Sequence, residues 1–307
     1  MDKINLIIDN NDVGNRIDKF LSDELDDLSR SHIQKLIKDK CVTVNDAVVK
    51  SNYRLSLGDS IYITIPDLVQ PEIIAEDIPL DIIFEDDDII VINKPKGMVV
   101  HPAVGHYTGT LVNALMFHCK DNLSGINGVL RPGIVHRIDM NTTGLIVVCK
   151  NDFAHNSLAE QLSVHSITRK YNAIVYNSFK DEEGTIDAPI GRNVNDRKKM
   201  AIDKFDGRRA VTHYKVIKHI NKFSYIECQL ETGRTHQIRV HMASIGHPLL
   251  GDDVYTSAKP PFNLQGQTLH ARILGFVHPR TNEYVEFEAP LPKYFERVLE
   301  LIEIYSN

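Results

Sequence analysis

The sequence has few cysteines and no long run of apolar residues. Among its 307 residues are four cysteines that lie far apart and form no CxxC pair: Cys41, Cys119, Cys149 and Cys228. A disulfide framework or zinc ribbon is therefore not expected, and a reducing cytoplasm is the natural setting. The N-terminal segment MDKINLIIDNNDV is interrupted by charges and does not resemble a signal peptide. No apolar run approaches the roughly 20 residues of a membrane-spanning helix, so no membrane association is expected.

The sequence also lacks the glycine-rich phosphate-binding patterns GxxxxGK[ST] and GxGxxG. The histidines His236 and His241 are five positions apart, which places them on different faces of a helix, and no HExxH pattern accompanies them. Hydrogen-bonded or RNA-facing histidines are the better interpretation. We therefore expect no metal site.

The sequence has no general excess of positive charge either, because it contains 35 Lys and Arg and 41 Asp and Glu. Nucleic-acid binding would have to rest on local clusters. One cluster spans residues 192–209, with seven basic residues against three acidic ones. Within it, Arg192 and Lys198 are candidates for RNA contacts, although a solvated hairpin loop explains the composition equally well.

The chain divides into a small first unit and a larger second one. Residues 13–65 predict a compact unit in which Ser29 caps the second of two helices and short strands follow. Residues 66–80, rich in Pro, Glu and Asp, indicate a linker, and residues 81–307 form the second unit.

The second helix of the first unit carries one polar face. Arg30, Gln34, Lys35 and Lys38 lie largely opposite its apolar stripe and could grip RNA phosphates. The unit as a whole has eight basic and eight acidic residues, so a merely solvated face is the alternative.

In the second unit, strands and helices mix without regular βαβ alternation, which favours an α+β fold with a mainly antiparallel sheet flanked by helices. The segment DIIVINKPKGMVVHP predicts a strand, a turn and a second strand. Residues 110–119, 153–163 and 292–305 predict helices, and YNAIVY, AVTHYKVI and FSYIECQLE predict strands.

Two dense polar stretches stand out. RPGIVHRIDMNTTGLIVVCK places Asp139 shortly before a buried strand, where it is either a turn residue or a rigidly held reactive group. LETGRTHQIRVHM carries Arg234 and Arg239, both candidates to meet a carboxylate from elsewhere. Asp252 and Asp253 could be acid–base partners, but capping and bracing of a loop explain them better.

RPGIVHRIDMNTTGL resembles the signature of the RluA-type pseudouridine synthases, particularly the RluD-like members that act on large-subunit ribosomal RNA. NKPKGMVVHP, GTLVNAL, ITRKY, APIGR, AVTHY, LETGRTHQIRVHM, HPLLGDDVY and LHA match in the same order, so the resemblance covers essentially the whole chain. The usual signature has Leu in place of Ile138 and Lys-Asp in place of Met140-Asn141. Residues 13–65 resemble the alpha-L RNA-binding module named after ribosomal protein S-four.

The resemblance implies a pseudouridine synthase fold and a role for four residues. Asp139 would be the catalytic aspartate, Tyr171 the tyrosine that stacks on the target base, and Arg239 the partner of the aspartate. Arg137 would fill the RNA helix when the uridine leaves it. An arginine would favour the charged carboxylate and fix its angle through a bidentate bond.

The implied reaction converts specific uridines of large-subunit ribosomal RNA to pseudouridine, without a cofactor. The protein would be a monomer. One alternative is a ribosome-associated RNA-binding protein without catalysis, which would not need the trio of Asp139, Tyr171 and Arg239. Another is a nucleoside or glycoside hydrolase, which would be expected to have a second catalytic carboxylate and to release the free base.

Overall fold

The computed structural model describes residues 2–9, 12–25, 29–65, 73–103, 105–120, 122–128, 131–194, 196 and 199–304. Contacts divide the chain into two compact units, residues 1–71 and residues 72–307. Each unit has its own hydrophobic core.

The first unit is a four-stranded antiparallel sheet with two helices. Its elements are β1 (Asp2–Ile7), α1 (Ile17–Glu24), α2 (Arg30–Lys38), β2 (Val42–Val44), β3 (Ala47–Val48) and β4 (Ser60–Ile65), and the strand order is β1-β4-β2-β3. As predicted, the Ser29 hydroxyl caps α2 by accepting a hydrogen bond from the amide of His32. Asn45 and Asp46 adopt positive φ in the turn between β2 and β3, a conformation that Asn and Asp tolerate better than most residues.

The predicted start of this unit at residue 13 is too late. β1 pairs along its whole length with β4, from Asp2 opposite Ile65 to Ile7 opposite Ser60. The charges in MDKINLI obscured the alternation of a half-buried strand, in which Ile4 and Leu6 pack on the core.

The second unit is built on a nine-stranded mixed sheet. The strands of the second unit, including two outside this sheet, are β5 (Ile82–Glu85), β6 (Ile89–Lys94), β7 (Thr143–Cys149), β8 (Thr168–Tyr176), β9 (Glu183–Asp187), β10 (Ile190–Arg192), β11 (Met200–Ile202), β12 (Val211–Ile220), β13 (Phe223–Leu230), β14 (Leu269–Val277) and β15 (Tyr284–Glu288). Its helices are α3 (Leu111–Cys119), α4 (Asp152–Ser163), α5 (Gln237–Ser244) and α6 (Lys293–Ile304). Apart from the second strand predicted in MVVHP, the predicted helices and strands are confirmed, with small shifts at their ends.

The main sheet has the order β5-β6-β7-β14-β8-β13-β12-β9, with β15 paired to β14, while β10 and β11 form a separate hairpin. Only the β7–β14 pair is parallel among these pairings, so the predicted mainly antiparallel sheet is confirmed. At this pair an added Cβ on Gly144, whose φ is +105°, would lie 2.1 Å from the Ala271 carbonyl oxygen. Glycine is therefore required where β7 follows the Asp139 loop.

Two predicted segments differ from the structure. Of the predicted linker, residues 73–80 belong to the second unit, since Ile73 is buried in its core and the Glu76 carboxylate accepts from the Gly109 amide; residues 66–72 lie outside the described residues. The second strand predicted in MVVHP is also wrong. The carbonyls of Val99 and Val100 accept from the first amides of α3, which takes them out of any sheet.

Candidate active site

Three separate segments of the second unit meet at one pocket. The loop before β7 supplies Asp139, the buried middle of β8 supplies Tyr171, and the first turns of α5 supply Arg239. All three residues line a small pocket of about 50 Å³ that is open to solvent. The tertiary structure thus brings together the three residues for which the sequence predicted a catalytic role.

Arg239 contacts the Asp139 carboxylate directly. Its Nη1 donates to Asp139 Oδ2 at 3.0 Å. The expected bidentate bond, however, is made elsewhere: Nε and Nη2 donate to Asp252 Oδ2 and Oδ1, at 2.7 and 3.0 Å. Arg239 therefore joins two carboxylates, one open to the pocket and one enclosed in the protein.

Asp252 anchors this arginine. It is 1% exposed, and its Oδ1 also accepts from the amides of Val254 and Tyr255. The predicted bracing of a loop is confirmed, but the link to Arg239 was missed. An acid directly after the apolar PLLG segment was the only sequence signal for it.

The charges in this chain of residues stabilise one another. Burial acts to lower the pKa of Arg239, but Asp252 and Asp139 outweigh it and raise that pKa further above its ordinary value. Burial also acts to raise the pKa of Asp252, and the hydrogen bonds from Arg239 reverse the effect and lower it. The guanidinium thus stays charged beside Asp139, with its plane held by the bidentate bond.

Tyr171 presents an enclosed aromatic ring to the same pocket. It is 8% exposed and packs in the core of the second unit. Burial raises the pKa of its hydroxyl, and the charge of Asp139 acts in the same direction. The side chain therefore offers a neutral ring for stacking.

Lys94 holds the backbone on which Asp139 is carried, a role that sequence reasoning missed. The side chain is fully buried, and its Nζ donates to the carbonyls of Pro95, Met98 and Met140, at 2.9, 2.9 and 3.1 Å. Burial lowers the pKa of Lys94 to about 7, while Asp139 acts in the opposite direction. A lysine at the end of the apolar run IIVIN was the available signal.

His236 lies next to the Asp139 carboxylate. Its Nε2 is 3.9 Å from Asp139 Oδ1, and its Nδ1 is 2.8 Å from the Tyr255 hydroxyl. That hydroxyl accepts from the Met200 amide, so its own proton is available to Nδ1. This network assigns the remaining imidazole proton to Nε2, on the side of Asp139. His241, in contrast, is bonded to Thr212 and the Ala188 carbonyl inside the protein.

Arg137, predicted to contact RNA, is an exposed residue that lines the pocket, and its Nη2 donates to the Thr235 hydroxyl at 3.1 Å. Arg192 lies exposed at the end of β10, in the hairpin of the basic 192–209 segment. Lys198 lies outside the described residues.

In the first unit, the proposed RNA-gripping face is tied to one buried acid. Arg30 and Gln34 both donate to Asp18 Oδ2, at 3.1 and 2.7 Å, and Arg16 also binds this carboxylate. Burial acts to raise the pKa of Asp18, but these hydrogen bonds lower it to about 2. The other two predicted contacts, Lys35 and Lys38, are exposed on α2.

The matches to known families correspond to the two units. Residues 15–61 match the S4 domain, and residues 88–244 match the RNA pseudouridylate synthase family. An RNA-binding module followed by such a pocket defines an RNA-modifying enzyme. The chain belongs to the RNA pseudouridine synthase family.

Relatives extend over nearly the whole sequence. An uncharacterized RNA pseudouridine synthase of Bacillus subtilis is 54% identical and covers 99% of this chain and 98% of that protein. The ribosomal large subunit pseudouridine synthase D of Zymomonas mobilis is 46% identical over 96% of both chains.

Solved structures support the fold of the second unit. Human RNA pseudouridylate synthase domain containing 4 has a TM-score of 0.55 at 25% identity and covers 72% of this chain and 92% of that one. Human RNA pseudouridylate synthase domain containing 1 has a TM-score of 0.57 at 23% identity and covers 74% of this chain and 96% of that one.

Proposed function

We propose that this protein converts specific uridines of large-subunit ribosomal RNA to pseudouridine, with Asp139 as the catalytic carboxylate. The supporting observation is the 3.0 Å contact between Asp139 and Arg239 in a pocket that also holds Tyr171. A protein that only binds RNA would have no need of this arrangement. The ribosomal target is proposed from the similarity to the ribosomal large subunit pseudouridine synthase D of Zymomonas mobilis.

The reaction requires the bond between uracil N1 and the sugar C1′ to break and a C5–C1′ bond to form. The C5 proton is lost to solvent and N1 gains a proton, so atoms balance without a cofactor. Asp139 can stabilise the positive sugar, attack C1′, or remove the 2′ proton. All three routes need a carboxylate held in a fixed orientation beside the sugar, and the hydrogen bond from Arg239 fixes the orientation of Asp139.

Tyr171 holds the uracil while it is detached. Flipping the uridine out of structured RNA costs a few kcal/mol, and stacking on an aromatic ring returns roughly 1–3 kcal/mol. Arg137, at the exposed edge of the pocket, would occupy the space that the base leaves. The gain from stacking is similar in size to the cost of flipping the base, so we expect both Tyr171 and Arg137 to be needed.

A hydrolytic reaction is disfavoured by the carboxylates of the site. Asp139 is the only Asp or Glu among the described residues that line the pocket. Asp252 is enclosed behind Arg239 and accepts four hydrogen bonds. A glycosidase generally needs two carboxylates flanking the sugar.

Tritium release from ribosomal RNA labelled at uridine C5 tests the proposal. The wild-type protein should release tritium, and Asp139→Asn should release none while it still binds the RNA. Asp253→Asn is the matched control, because Asp253 is exposed and does not line the pocket. Release that survives in Asp139→Asn would refute the assignment, and pseudouridine mapping in a strain lacking the protein would identify the positions.

We also propose where the enzyme is located and its oligomeric state. All four cysteines are free thiols. Within the described part of the chain, no helix combines the length and apolar character needed to cross a bilayer. We place the protein in the cytoplasm as a monomer, which size-exclusion chromatography with light scattering would check.

A further inference from the structure

A second, wider cavity lies next to the catalytic pocket. It holds about 540 Å³ and shares Arg137, Tyr171 and Arg234 with that pocket. Arg131 and Arg169 also line it, whereas none of its described lining residues is Asp or Glu. Four guanidinium groups without a carboxylate, in a chain whose net charge is −6, favour an anionic ligand.

Arg169 is the least exposed of these arginines, and it has no ion-pair partner among the residues that the structure describes. It is 6% exposed, its Nη2 donates to the Glu231 carbonyl at 2.9 Å, and its buried Nε has no hydrogen-bond partner in the described structure. Burial lowers the pKa of Arg169, and the charge of Arg234 acts in the same direction. An anion in the cavity would supply the missing partner, since a buried unpaired charge is costly.

Two histidines of the cavity wall are neutral and add hydrogen-bonding groups. His136 Nε2 accepts from the Val147 amide at 3.0 Å, which assigns the ring proton to Nδ1. Burial lowers the pKa of His136 to about 3. The Nδ1 atom of His101 is buried and has no partner among the residues described, and burial and two nearby arginines lower its pKa to about 4.

The position of Arg169 relates the cavity to the bound nucleotide. Arg169 and Tyr171 are two positions apart on β8, so their side chains point to the same face of the strand, about 7 Å apart along it. When uracil stacks on Tyr171, the adjoining RNA backbone is within reach of Arg169. The anions that RNA carries are phosphodiesters, which arginine binds through paired hydrogen bonds.

We propose that this cavity is a phosphate subsite, in which Arg169 and Arg131 bind a backbone phosphodiester adjacent to the target uridine; the inference rests on the proposed function. The subsite holds the displaced strand after the base has entered the catalytic pocket. Phosphate contacts of this kind set register rather than read the base.

A mutant cycle between protein and RNA tests the subsite. The probe is the shortest ribosomal RNA fragment that wild-type protein binds, prepared with one uncharged methylphosphonate at each linkage in turn. Arg131→Gln is the protein variant, because Arg131 is exposed and its side chain makes no ion pair with the described residues. For one linkage beside the modified uridine, we expect each change alone to weaken the Kd about tenfold and the two together to weaken it no further.

Lys180→Gln is the control, because Lys180 is exposed and lies outside the cavity. Its effect on the Kd should multiply with the effect of a methylphosphonate at every linkage. Multiplicative losses with Arg131→Gln at every linkage would overturn the proposal. A second result would also overturn it: inorganic phosphate changes the activity in an Arg131-dependent way, while no RNA linkage is coupled to Arg131. The anion bound in the cavity would then be a separate ligand and not the RNA backbone. Binding is measured apart from tritium release, so loss of the proposed activity would be recognised independently.

Discussion

Replacing Asp252 by Asn should impair catalysis although Asp252 does not line the catalytic pocket. The carboxylate accepts four hydrogen bonds, two from Arg239 and one each from the amides of Val254 and Tyr255. An asparagine oxygen in the Oδ1 position keeps three of them, and its NH₂ group then faces the Arg239 Nε–H. The bidentate anchor is lost.

The magnitude follows from the number and burial of these bonds. Removing one partner of a buried ion pair costs about 3–5 kcal/mol of stability, and we expect about 3 kcal/mol because Arg239 keeps Asp139 as a partner. A displacement of about 1 Å in a catalytic group lowers rates about 100-fold, which corresponds to about 2.7 kcal/mol in the activation free energy. Because Asp252 is buried and does not line the pocket, the Kd for RNA should change less than twofold.

Single-turnover tritium release with saturating protein measures the chemical step, and thermal unfolding confirms that the variant is folded at the assay temperature. Asp253→Asn is the neighbouring control and should match wild type in rate and stability. A folded Asp252→Asn variant with a rate within twofold of wild type would show that the anchor does not position Asp139.

Three further expectations address separate parts of the molecule. Tyr171→Leu should lower kcat/KM by about 10- to 100-fold, the value of one stacking contact, and Tyr171→Phe should stay within a few-fold; equal losses would mean that the hydroxyl, rather than the ring, matters. Asp18→Asn should destabilise the first unit by about 1–3 kcal/mol and weaken RNA binding because Arg30 loses its anchor, with unchanged single-turnover rate at saturation; unchanged affinity would contradict this role. His136 has a pKa lowered to about 3 in the folded protein. Its contribution to stability is therefore fully present above pH 6.5. As the pH falls from 6.5 toward 3, the free energy of unfolding decreases by up to about 1.4 kcal/mol per pH unit. His136→Gln, whose amide oxygen can still accept from Val147, should show a smaller slope of unfolding free energy between pH 6.5 and 4.5; an equal slope would refute the assignment.

Two buried charged residues position the site although they do not line the catalytic pocket. Lys94 and Asp252 are nearly fully enclosed, yet one fixes the Asp139 loop through three carbonyls and the other fixes Arg239. Neither lines the catalytic pocket. Their substitution should therefore change the rate through geometry rather than through contact with RNA.

The local pattern of the chain determined most of the secondary structure and the identity of the central residues. Apolar periodicity placed the helices and strands, and the ordered motifs around Asp139, Tyr171 and Arg239 indicated the chemistry. Strand β1 was missed because its charges hide the alternation, and the MVVHP strand was wrong because the carbonyls there bond to α3.

Only the tertiary structure decided which partners the charged groups have. Arg239 has three donor atoms in use, and the sequence offered several carboxylates; folding assigns two bonds to Asp252 and one to Asp139. Likewise, Arg30 and Gln34 point to Asp18, and Arg169 is enclosed without a carboxylate partner in the described structure. Such pairings join residues up to 100 positions apart, and local periodicity carries no information about contacts at that separation.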